Sequence, residues 1–204
     1  GIGSVSGIST SVAPSATTTY TLTATNGAGS RTAVATVNVA AVPAGNPWVI
    51  GYYVGYHNDL QTPAQIDYSA MTHVAVGAVL PRTNGTFNTD FYLGADAGPV
   101  WAKDVIQRAH SAGTKCLLMV GGAGDEVIAA FRATKAPAIR AAFVQNLKAL
   151  LTAYGFDGFD LDWEPMNLDG NDPNANDVNA LLDLAKDLRA AMPDAVMTVP
   201  VGWN

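Results

Sequence analysis

The sequence predicts an α/β protein built on a parallel sheet that closes as a barrel, with a short all-β segment ahead of it. Three observations carry this expectation. From Trp48 onward, continuous apolar runs alternate with stretches whose apolar residues recur at helical spacing, the pattern of a parallel sheet covered by helices. Before residue 45, threonines alternate with small and apolar residues around an Asn-Gly turn. The run FDGFDLDWEP (156–165) places carboxylates at every second position of a strand that otherwise reads as deeply buried.

The bulk numbers bound the possibilities. The chain has 204 residues, 49% hydrophobic and 14% charged, a globular composition long enough for one ordinary domain and a small second one. With 11 basic and 17 acidic residues, the net charge of -6 leaves no basic stripe for a nucleic-acid backbone or an anionic membrane. The lone Cys116 excludes an intramolecular disulfide and cysteine-built metal clusters. Inside KCLLMVGG it reads as a small buried hydrophobe. No apolar run approaches the roughly 20 residues that span a bilayer, and GIGSVSGIST lacks the basic start and apolar core of a signal peptide.

In TTTYTLTATNGAGSRTAVATVNVA, Tyr20, Leu22 and Ala24, then Val34, Val37 and Val39, alternate with polar residues on either side of Asn26-Gly27 and Gly29. This is a hairpin signal. About forty residues are few for an independent β-sandwich, which takes about 100. TTTYTLTATNGAG resembles the last strands of a bacterial immunoglobulin-like module, so residues 1–40 are expected to be the C-terminal part of such a module. Residues 41–47, with two prolines and a glycine in VPAGNP, read as a linker.

The following elements come in alternation. WVIGYYVGY (48–56) and THVAVGAVL (72–80) read as strands. Trp101, Val105, Ile106 and Ala109 share a helical stripe that Gly113 closes. KCLLMVGG (115–122) is the third strand. After Pro137, Ile139, Phe143, Leu147 and Leu150 form a second stripe, closed by Gly155. FDGFDLDW is the fourth strand. A helix from Asp177 to Met192 is expected to turn Val178, Leu181, Leu182, Ala185 and Leu188 inward, and AVMTVPVGW (195–203) is the fifth strand.

The carboxylates decide between an open doubly wound sheet and a barrel. Side chains alternate along a strand, so Asp160, Asp162 and Glu164 share one face and Phe159, Leu161 and Trp163 the other, with a rise of about 6.6 Å per pair of residues. In a doubly wound sheet helices cover both faces, and unpartnered carboxylates there would cost several kcal/mol each. In a barrel the same face leads to the mouth, where polar groups are wanted. Gly158, with Phe156 below it, would occupy the lower layers.

Asp157-Gly158-Phe159-Asp160-Leu161-Asp162-Trp163-Glu164 matches the D-x-x-D-x-D-x-E signature of the family 18 glycoside hydrolases, the chitinases and their relatives. VIGYYVGY, THVAVGAV, LLMVGG and MTVPVGW resemble that family's first, second, third and fifth strands. The resemblance covers residues 48–204. It implies the N-terminal part of a (β/α)8 barrel that cleaves β-1,4-linked N-acetylglucosamine polymers, with chitin or N-acetylglucosamine oligomers as ligands and no cofactor. Asp157, Gly158, Gly121 and Gly122 take structural positions of its motifs.

Glycoside cleavage needs a proton for the leaving oxygen and a group that holds the positive charge at the anomeric carbon. Glu164, uppermost in the series, is the candidate acid. Three carboxylates from one strand do not easily flank a sugar, and the resemblance implies substrate assistance, in which the 2-acetamido oxygen attacks the anomeric carbon. Asp162 would accept the acetamide N–H, and the deeper Asp160 would govern the charge of Asp162. The three carboxyls are expected to share protons, with Glu164 protonated near neutral pH. Tyr52 matches the family tyrosine whose hydroxyl supports the buried aspartate, and reads equally as a plain core tyrosine. The family's third strand usually reads S-x-G-G; here it is Met119-Val120-Gly121-Gly122, without the serine that would also bond that aspartate.

Other readings are weaker. No histidine or second acidic cluster stands on a neighbouring strand end to complete a metal site. NLDGNDPNAND (167–177) lacks EF-hand spacing and reads as a solvated loop, with weak calcium binding as its alternative. His57, His73 and His110 are dispersed. Trp203 is a candidate for stacking on a sugar, or for core or rim packing. Three functions remain: an endo-acting chitinase, an endo-β-N-acetylglucosaminidase acting on glycans, and a non-catalytic chitin-binding lectin-like protein, which loss of the acid would have favoured. An insoluble substrate and a bacterial-like appended module imply secretion. A closed barrel takes about 250 residues, and 157 follow the linker (204 minus 47), so the chain is expected to be part of a longer enzyme, to be inactive by itself and to self-associate through an open side.

Overall fold

The computed structural model describes residues 2–7, 9–14, 16–39, 47–164 and 176–200. The chain divides into two compact units, Gly1–Pro47 and Trp48–Asn204.

In the first unit, β1 (Thr18–Asn26) and β2 (Gly29–Val37) form an antiparallel hairpin closed between Asn26 and Gly29. Asn26 Oδ1 accepts the Ala28 N–H at 2.9 Å, the local bond that makes asparagine a turn residue. Gly29 takes a φ of 124°, which favours glycine. Hydroxyl pairs Thr19–Thr36 and Thr25–Ser30 tie the two strands at 2.9 and 2.7 Å. Nearly every hairpin residue is exposed.

In the second unit the elements run β3 (Ile50–Val54), β4 (His73–Pro81), β5 (Phe87–Asn88), α1 (Ala97–Ser111), β6 (Lys115–Gly122), α2 (Asp125–Ala133), α3 (Pro137–Tyr154), β7 (Gly158–Trp163), α4 (Asn176–Ala191) and β8 (Val196–Thr198). The long strands pair in the order β3-β4-β6-β7-β8, all parallel, and the short β5 runs antiparallel to the end of β4. Spatial order therefore follows chain order. A doubly wound sheet reverses its strand order at a switch point; a sheet wound in one direction keeps its helices on one face and curls toward a barrel. The mixed α/β unit thus fits part of a TIM barrel.

The helix-side core gathers β-strand residues Val74, Val76, Leu118, Val120, Phe159, Leu161 and Trp163 against the helices. Phe131 of α2 stacks on Trp163 at 5.0 Å with an 8° interplanar angle, and Phe143, Leu147, Leu184 and Leu188 are fully enclosed. Gly113 and Gly155 adopt the left-handed conformation after α1 and α3.

Several expectations shift. The first strand is shorter than 48–56 and the fourth starts at Gly158. Helix α2 was not foreseen. On α4, Leu181 packs on the core, whereas Val178 and Leu182 are exposed at 64% and 50%; the buried stripe is Ala180, Leu184 and Leu188. These three positions, four residues apart, fix the inward face, and at about 100° per residue Val178 and Leu182 turn away from it. Phe156 joins the helix-side cluster, 5.9 Å from Tyr154, and not the lower layers of the opposite face, because the strand's alternation begins only two residues later.

Candidate active site

Strand β7 is buried at every position. Its apolar side chains meet the helices, so Asp160 and Asp162 occupy the opposite, concave face. Asp160 is fully buried and Asp162 is 7% exposed. Glu164 follows the strand's C-terminal end and is exposed.

Two glycines let this strand sit where it does. A Cβ on Gly158 would overlap the carbonyl oxygen of Val196 on β8, and one on Gly121 would overlap that of Asp162, with φ 114° at Gly121 and 115° at the adjoining Gly122. Asp157 anchors the strand's start. Its Oδ2 accepts the Cys116 N–H at 2.8 Å and lies 2.8 Å from His110 Nε2, while its backbone carbonyl accepts the Val196 N–H at 3.1 Å. One side chain therefore joins α1, β6 and β7 below the carboxylates, and its carbonyl adds β8.

Both oxygens of Asp160 are held. Tyr52 Oη, from β3, donates to Oδ2 at 3.2 Å, and Thr198 Oγ1, from β8, donates to Oδ1 at 2.5 Å. In register, Asp160 lies between Met119 of β6 and Thr198 of β8. Burial drives the Asp160 carboxyl above its usual range, and the Thr198 and Tyr52 bonds pull against that rise. Burial, the Glu164 charge and the Asp160 charge together push Asp162 up to about 6. Tyr52 is pushed up to about 12, first by burial and then by Asp160.

The rim carries aromatic groups. Tyr92 is 42% exposed and meets Tyr56 edge-on at 5.3 Å. It follows Phe91 in a pair of left-handed residues, φ 49° and 64°, and Asp90 Oδ1 accepts the Tyr92 N–H at 2.9 Å. Burial, then Tyr56, then Asp162 raise the Tyr92 phenol. Among the described residues no group of three or more His, Cys, Asp or Glu side chains is placed to hold a metal ion, and no helix is long and apolar enough to cross a membrane.

The structure thus brings Tyr52, Asp160 and Asp162 together, with Glu164 at the strand's end, and sets Gly121, Gly122, Asp157 and Gly158 around them. Trp203 and residues 167–175 of the acidic loop lie outside the described residues. Cys116 is buried, and burial raises its thiol. Sequence reasoning missed Thr198 and Tyr92. Thr198 had no signal of its own, since its role depends on the register of β8 against β7.

The model of the glycosyl hydrolases family 18 matches residues 48–199. The chain belongs to that family. Among its relatives, a chitinase-like effector of Moniliophthora perniciosa is 32% identical over 158 residues, which are 76% of this chain and 35% of that protein. A chitinase of Paenibacillus xylanexedens is 32% identical over 63% of this chain and 24% of its own length. A chitinase structure from Rhizomucor miehei aligns with a TM-score of 0.59 at 28% identity, covering 74% of this chain and 46% of that one. A family 18 chitinase from Cycas revoluta in complex with (GlcNAc)3 aligns with a TM-score of 0.63 at 22% identity, over 74% and 45% respectively, a likeness of fold. The chain spans about a third or less of the length of these curated relatives and under half of these solved chains.

Proposed function

We propose that these residues serve a secreted chitinase, which hydrolyses β-1,4-linked N-acetylglucosamine polymers by a retaining, substrate-assisted reaction. The observation that carries this reading is the vertical series on β7: Asp160 buried and doubly bonded, Asp162 nearly buried, and Glu164 exposed at the strand's end. A nucleophilic carboxylate must flank the sugar from the side opposite the acid. Three carboxylates on a single strand favour the alternative, in which the substrate supplies its own nucleophile.

In the first step the 2-acetamido oxygen attacks the anomeric carbon and the bond to the leaving oxygen breaks. Glu164 delivers its proton to that oxygen. The Asp162 carboxylate accepts the acetamide N–H and faces the positive charge of the oxazolinium ion. In the second step water attacks the anomeric carbon, Glu164 recovers a proton from that water, and the ring reopens to the acetamide. Configuration is retained because the carbon is inverted twice. Asp160, fixed by two hydroxyls, sets the electrostatic field in which Asp162 changes its proton. The test is hydrolysis of chitin oligomers by the whole protein that carries these residues. Activity lost in Glu164→Gln with oligomer binding kept is the expected pattern; binding without hydrolysis by the unaltered protein would favour a lectin-like role.

A further inference from the structure

Asp160 is wholly removed from solvent, and a buried carboxylate persists only where donors satisfy it. Among the described residues, its strand neighbours supply the following groups. Its partner in register on β6 is Met119, which offers no donor; Met119 itself fills the space beside Gly77 of β4, where an added Cβ would lie 2.7 Å from the Met119 side chain. Strand β3 supplies Tyr52 to Oδ2, and β8 supplies Thr198 to Oδ1. Among the described residues, the titratable groups facing the pair of aspartates are Tyr52 from β3, Glu164 beyond the end of their own strand, and Tyr92 from the segment after β5, beside Asp162.

We propose that Thr198 is a positioning residue of the carboxylate series: its hydroxyl, donating to Asp160 Oδ1, favours the negative charge on Asp160 against its burial and so directs the proton of the two carboxyls toward Asp162. The Thr198 bond is the shorter of the two, 2.5 against 3.2 Å. It comes from a β-branched side chain with one strongly restricted torsion on a strand bonded directly to β7, so little freedom is lost in making it. Tyr52 reaches Asp160 from three strands away and at the longer distance. Thr198 therefore supplies the better-fixed donor, and β6, with Met119, supplies none.

This role rests on the proposed function only for its catalytic meaning; the proton's position is a property of the folded chain. The experiment is carboxyl carbon-13 magnetic resonance of Asp160 and Asp162 titrated from pH 3 to 9 in the whole protein carrying these residues, unaltered and as Thr198→Val, Thr198→Ser and Thr198→Ala. Two coupled carboxyls titrate in two macroscopic steps, and the share of each step seen at each residue reports where the proton resides. In the unaltered protein the upper step is expected mainly at Asp162. Loss of a donor to an ionised carboxylate shifts the microscopic equilibrium about tenfold toward the proton on Asp160, so in Thr198→Val most of the upper step moves to Asp160, and Thr198→Ser restores it to Asp162. If the valine variant fails to fold, the serine and alanine variants make the same comparison. An unchanged partition in a folded variant without the hydroxyl, or a shift toward Asp162, overturns the proposal. Chitin hydrolysis, measured separately on the unaltered whole protein, tests the proposed function without bearing on this result.

Discussion

Tyr52 Oη lies 3.2 Å from Asp160 Oδ2, although β4 and β6 stand between their strands. Strands spaced at about 4.8 Å would hold these two side chains about 14 Å apart on a flat sheet. The bond therefore measures the curl of the sheet, and it joins the curvature of the fold to the chemistry of its concave face. Tyr52→Phe removes one donor from a buried carboxylate, and a fall of about tenfold in kcat with little change in oligomer affinity is expected. Steady-state kinetics with a chitin oligomer checks it; an unchanged kcat would show that Tyr52 only packs.

Glu164 is exposed at the end of β7, so an isosteric change there disturbs no core contact. Glu164→Gln is expected to cost at least about 100-fold in turnover while oligomer binding persists. Turnover within a few-fold of the unaltered protein would remove Glu164 from the role of acid.

Asp162 carries a stability cost that can be read from its protonation. Its folded value, raised from 3.8 to about 6 by burial and by Glu164 and Asp160, lies above the unfolded one. The folded state therefore binds more protons than the unfolded state between these values, and stability falls as pH rises from about 4 to about 6. The cost at pH 7 is on the order of 2–3 kcal/mol. Asp162→Asn, which cannot ionise, is expected to stabilise the fold by about that amount at pH 7 and by little at pH 3.5, with hydrolysis lost. Urea denaturation at both pH values tests this, and equal effects at the two would contradict it.

Among the described residues, β3 and β8 are the outer strands of the parallel sheet. Outer strands leave unpaired backbone groups that invite another chain, and Tyr52 and Val199 add exposed apolar surface beside them. The purified 204-residue chain is expected to associate as its concentration rises. Light scattering that reports a monomer at every concentration would oppose this.

Much of the fold was legible because its signals are local. The Asn26-Gly27 turn, the apolar runs of β4 and β6, and the stripe of Phe143 and Leu147 each depend on spacing within one element. Helix α2 escaped notice although Asp125 and Glu126 in its first turn and Val127, Ile128 and Phe131 on one face were available; the glycines just before it, Gly121, Gly122 and Gly124, masked its start. The inward face of α4 was misjudged at Val178 and Leu182 because several apolar positions compete on one helix and only packing chooses among them. Asp160, Asp162 and Glu164 could be placed on one face by strand alternation. Thr198 could not, since its bond to Asp160 spans 38 residues and depends on a register that no local pattern encodes.

The central claim is that the carboxylate series of β7 works with the substrate's own acetamide. The most direct measurement is proton magnetic resonance of the first anomer released when the whole protein carrying these residues cleaves a chitin oligomer. Retention predicts the β anomer at the earliest times, followed by mutarotation toward equilibrium. An initial α anomer would mean that water attacks directly, and would contradict the account.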